Sequence, residues 1–120
     1  MKKSELRKLI KKEMTILKAR KELQNYIRIY GDGEIYVRCF TCGDDGVLST
    51  DLEVELYDGY DWHTIVLATI EVPDTKDLEE NKYWKLVDDS CEVFKTLKKN
   101  MIAELEKYGY EISNTEDYHI

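Results

Sequence analysis

Hydrophobic and polar residues change their spacing several times along the chain, and each change marks an expected element. Between residues 4 and 24, Leu6, Leu9, Ile10, Ile16, Leu17 and Leu23 fall on one side at 100° per residue. Arg7, Lys8, Lys11, Lys12 and Lys18 fall on the other, which predicts a first helix. Glu13 and Arg20 interrupt its apolar stripe, so shallow packing is expected. From Asn25 the spacing becomes two. Ile27 and Ile29 alternate with Tyr26, Arg28 and Tyr30; beyond Gly31-Asp32-Gly33, Ile35, Val37 and Cys39 alternate with Tyr36, Arg38 and Phe40. This predicts strands at 25–30 and 34–41, joined by a three-residue turn with Gly33 in the left-handed conformation. Two more strands are predicted. One spans 51–57, with Leu52, Val54 and Leu56 inward; the other spans 62–72, where Ile65, Val66, Leu67, Ala68 and Ile70 make both faces apolar, as in a central strand.

Pro73-Asp74-Thr75 reads as a helix start, with Asn81 as a second cap. Tyr83, Val87, Cys91, Phe94, Leu97, Met101, Leu105 and Tyr108 then line one side of a second helix at about 76–108, which Gly109 stops. Residues 110–113 predict a short edge strand and 114–120 a loose tail. The expected fold class is therefore α+β in the order α-β-β-β-β-α: a four-stranded antiparallel sheet with helices packed on one face. No interior stretch is long or polar enough to divide the chain, so residues 1–120 are expected to form one domain.

Composition narrows the class without naming a function. The longest uncharged run, Trp62 to Ile70, falls far short of the ~20 residues a bilayer span needs. The opening residues lead straight into the charged helical pattern, with no apolar signal core. Three cysteines make no disulfide framework. A soluble cytoplasmic protein without a membrane partner is expected. The net charge of −7 is unevenly spread: residues 1–22 carry nine basic side chains against Glu5, Glu13 and Glu22, a charge of +6, which leaves −13 on the remainder. Such a body repels nucleic acid and suits a basic partner.

Residues 41–61 contain seven carboxylates, Asp44, Asp45, Asp51, Glu53, Glu55, Asp58 and Asp61, and no lysine or arginine. An unrelieved cluster of this kind gains from a cationic partner, and Tyr57 and Tyr60 add amphipathic anchors, so these nine residues form the expected partner-binding set. A second candidate is a small-ligand or nucleotide site on the sheet, with Tyr26 and Tyr36 stacking a base and Arg28 and Arg38 pairing a phosphate. Cys39-Phe40-Thr41-Cys42-Gly43 has the spacing of half a zinc knuckle, short of two ligands. No cofactor is expected. With two histidines, His63 and His119, and no nucleophile elbow or phosphate-cradling loop, the chain carries no catalytic signature.

In size, acidity and tyrosine content the chain resembles small phage-encoded inhibitors of host defence, such as anti-CRISPR proteins, and equally bacterial immunity proteins that neutralise a toxin. The resemblance implies a stoichiometric inhibitor or adaptor that occupies a basic, nucleic-acid-binding surface of a partner protein, in the host cytoplasm if phage-encoded.

Overall fold

Three strands with a clear two-residue period form the body of the sheet: β2 (Glu34–Asp44), β3 (Val47–Tyr57) and β4 (Trp62–Val72) run as an antiparallel meander. The computed structural model describes residues 1–120, the side chain of Lys12 excepted. The β2–β3 connection is the two-residue loop Asp45-Gly46, with φ of 49° and 76°. Two successive left-handed residues make the mirror-image turn whose twist matches that of the strands. A short strand, β1 (Ile10–Glu13), adds to the free edge of β4, giving the order β1-β4-β3-β2 on this side of the sheet.

The fold is mixed α+β, as expected, but the sheet has six strands and is not purely antiparallel. Both β5 (Ile112–Asn114) and β6 (Tyr118–His119) run parallel to β2 along its other edge. The chain reaches that edge only after crossing the sheet through two helices, the route that parallel neighbours require. Part of the expected loose tail is thus paired.

The helical segments also depart from expectation. The expected first helix is three elements: α1 (Lys3–Arg7), β1, and α2 (Ile16–Tyr30). Thr15 caps α2 by accepting a hydrogen bond from the Lys18 N–H at 3.2 Å. Residues 25–30 are the C-terminal half of α2 rather than a strand. Ile16, Ala19, Leu23, Tyr26, Ile27 and Tyr30 share one helical stripe, and this longer period prevails over the six-residue alternation. Gly31, at φ 89°, ends the helix. The expected second helix is divided at Phe94 into α3 (Glu80–Val93) and α4 (Lys95–Lys107), and it begins at Glu80 rather than near Thr75. Phe94 is fully buried and anchors the break in the core.

One core joins the inner face of the sheet to α2, α3 and α4, with Val37, Leu52, Val54, Leu56, Leu67 and Ile70 meeting Leu23, Phe94, Met101 and Leu105. The doubly apolar look of β4 has a local cause. Leu52 pairs with Ala68 and Glu53 with Val66, so Leu67 is the extra residue of a β-bulge. The bulge puts Ile65, Leu67, Ala68, Ile70 and Val72 all on the buried side, with Val66 and Thr69 half-buried on the other.

Candidate functional site

The outer face of the sheet carries the polar residues of β2, β3 and β4, and none of the described helices covers it. Arg38 is at its centre. Its Nε donates to Glu55 Oε1 at 3.3 Å, and its guanidinium lies 4.2 Å from the ring centre of Tyr118, 4.6 Å from Tyr36 and 5.4 Å from Trp62. Cross-strand pairing brings this group together: Arg38 is opposite Glu53 in the β2–β3 register, and Tyr57 opposite Trp62 in β3–β4. Tyr36 and Tyr57 pack on Trp62 at 5.0 and 4.7 Å, and Phe40 on Tyr118 at 4.6 Å. Glu55 also accepts from Thr64 at 3.3 Å, and Asp51 from Thr69 at 2.7 Å.

Although no helix lies above them, Glu53 and Glu55 are only 6% and 5% exposed. Burial, and then the charges of Glu55 and Asp51, push the Glu53 carboxyl up to about 7. The hydroxyl of Tyr118 donates to Glu53 at 3.4 Å; burial and the nearby carboxylates raise that phenol to about 12.

The seven carboxylates of residues 41–61 do not form one patch. Glu53 and Glu55 are beside Arg38 in the middle of the face. Asp44 and Asp45 are exposed at the β2–β3 turn, and Asp58 and Asp61 are at the β3–β4 turn. The 11-residue β3 separates the two ends, a span of about 35 Å at ~3.3 Å per residue. Asp58 is committed to its turn. Its Oδ1 accepts from the Tyr60 and Asp61 N–H groups at 2.8 Å each, and Oδ2 meets His63 Nε2 at 2.8 Å. The Asp61 N–H, then His63 and the Tyr60 N–H, hold the Asp58 carboxyl down at about 2. His63 stacks on Tyr30 at 3.7 Å, tying the turn to the end of α2. Tyr60 projects from this fixed turn 92% exposed, and Trp62 is 47% exposed beside it.

Of the alternative ligand residues, Tyr36 and Arg38 lie on the outer face, whereas Tyr26 and Arg28 belong to α2 on the inner side. They do not form one face. Cys39 and Cys42, three residues apart on one strand, point to opposite sides of β2 and share no site. The Cys39 sulfur lies instead within 4.8 Å of Cys91 Sγ on α3 and of a carboxylate oxygen of Asp117. The Cys91 sulfur and burial raise the Cys39 thiol, and the hydrogen bond from Cys39 lowers that of Cys91.

Trp62, an aromatic of interface type, and Cys91, a spare thiol, were visible in the sequence without a place in a site, while Tyr118 and Asp117 were not legible as site residues. Trp62 and Tyr118 become neighbours only through strand pairing at opposite edges of Arg38. Cys91 and Asp117 meet Cys39 only through packing. An aromatic in an otherwise polar tail, Tyr118, was the one available signal. Comparison with known proteins finds no matching family model, no similar curated protein and no similar solved structure.

Proposed function

We propose that this is a protein-binding module, an inhibitor or adaptor that occupies a cationic surface on a partner, and that its contact surface is the outer sheet face with the β3–β4 turn. The observation that carries this reading is the exposure of Tyr60 and Trp62 on a turn held rigid by Asp58, at the rim of a sheet face without a helical cover. A backbone turn ordered before binding leaves only the rotamers of its aromatic side chains to be fixed on association. Three 11-residue strands with their short neighbours present roughly 600 Å², near the ~800 Å² per partner of a standard interface. Net charge of −7 supports a basic partner and electrostatic steering of encounter. In its finer form the reading is an anti-defence or toxin-neutralising inhibitor that takes the place of nucleic acid on that partner.

The test is capture of host proteins on immobilised wild type and on Tyr60→Ala, Trp62→Ala and Asp61→Asn variants. Asp58 is left intact because it builds the turn. The expected result is a basic protein held by wild type, released by added DNA or RNA and lost with the Tyr60 and Trp62 changes. A captured partner that all three variants retain equally would place the contact surface elsewhere.

A further inference from the structure

A second cluster lies where the inner side of the sheet meets its β6 edge, next to Tyr118 of the proposed binding face. Cys39 comes from β2, Cys91 from α3 and Asp117 from the turn before β6; one ligand atom of each lies within 4.8 Å of the other two. We propose that Cys39, Cys91 and Asp117 form a binding site for a thiophilic divalent cation of the zinc class, with its fourth coordination position open to water.

The donor set suits that ion. Two thiolates and a carboxylate favour zinc over magnesium or calcium, which take oxygen ligands throughout. Bonds of about 2.3 Å to sulfur and 2.0–2.2 Å to oxygen put tetrahedral donors roughly 3.3–3.8 Å apart. The three atoms need close by only about 1 Å, within reach of small side-chain rotations.

The surroundings are arranged as for a metal carboxylate. Asp117 Oδ1 accepts from the Cys39 N–H at 2.8 Å and from Lys98 Nζ at 2.7 Å. These two donors fix the carboxylate, and Oδ2 has no hydrogen-bond donor among the described residues. Two thiolates and Asp117 carry three negative charges, which a divalent cation and the Lys98 ammonium balance. Cys91 and Asp117 border a cavity of about 590 Å³, shared with Trp84, Lys98 and His119, through which the ion and a coordinated water can enter. All three cysteines are free thiols. Binding the ion releases the Cys39 and Cys91 protons to solvent.

Cobalt(II), added to protein kept reduced, is the probe. One equivalent is expected to give a thiolate-to-cobalt charge-transfer band of two-thiolate intensity, which one equivalent of zinc bleaches. Cys91→Ser is expected to halve or abolish the band, Asp117→Asn to weaken zinc binding at least tenfold, and Cys42→Ser to change neither. Because Cys39 is buried in the core, the half-buried Cys91 carries the decision, with circular dichroism of the variant confirming its fold. Zinc is also expected to raise the Tm of wild type and not of Cys91→Ser. Absence of the band in reduced wild type, or its full retention in Cys91→Ser, overturns the proposal.

Discussion

On the inner side of β3, Leu52, Val54 and Leu56 are buried by helices; on the outer side of the same strand, Glu53 and Glu55 reach nearly the same burial with no helix above them. The inner face loses its water to shape. Apolar side chains from β2, β3 and β4 interlock with α2, α3 and α4, and the stabilisation follows the apolar area removed from solvent, about 25 cal/mol per Å². The outer face loses its water to the length of its own side chains. Arg38, Thr64 and Tyr118 supply the charge and hydrogen bonds that burial of the two carboxylates demands, and Tyr36 and Trp62 pack beside the Arg38 guanidinium. One face is therefore sensitive to volume and the other to charge and pH.

The largest effect should come from the inner face. Leu52→Ala is expected to lower unfolding stability by about 3–4 kcal/mol, because it removes buried methyl groups and leaves a cavity that strands and helices cannot close. Urea denaturation checks this, and the loss should be nearly the same at pH 5 and pH 8.

Arg38→Met should cost about 3 kcal/mol at pH 8 by stranding Glu53 and Glu55 without a cation. The loss should shrink at pH 5, where Glu53 is protonated. Adding Glu55→Gln should restore part of the stability, and a double-mutant cycle measures the coupling.

Glu53 gives the outer face a pH slope below neutrality. Its carboxyl titrates near 7 in the fold against an ordinary value of 4.5, so between these values the folded state holds more protons than the unfolded one. Stability is therefore expected to fall as pH rises through that window, by on the order of 3 kcal/mol in all. Glu53→Gln should flatten the profile, with little change at pH 5 and a gain at pH 8. An unchanged slope in that variant would contradict the assignment.

The smallest effect returns to the inner side. Ser90 Oγ on α3 is buried without a hydrogen-bond partner among the described residues. Ser90→Ala should stabilise by about 1 kcal/mol, readable as a rise in Tm.

Where the alternation was long, the sequence located the elements well: β2, β3 and β4 all contain their expected strands at 34–41, 51–57 and 62–72. Six residues of alternation at 25–30 were not enough, since the same residues continue the helical stripe of α2. In β4 a single extra residue, Leu67, moved the following apolar side chains to the opposite phase, so a bulge imitated a strand buried on both faces. The candidate site was readable residue by residue but not as a surface. Tyr57, Tyr60, Arg38 and, as a contact-type aromatic, Trp62 were visible one by one, while their meeting with Tyr118 was not.

Period and composition by themselves determined the mixed fold class, the inward sets of β2 and β3 and the acidity of the body. Tertiary structure alone decided that the acidic stretch divides between two ends of a long strand, that Arg38 neutralises its middle, and that Cys39 meets Cys91 and Asp117 rather than Cys42. The physical reason is range. Periodicity reports which side of an element a residue takes, because backbone geometry fixes that within a few residues. Which residues become neighbours depends on strand register, a bulge and a helical crossover, and these are settled by packing between segments far apart in the chain.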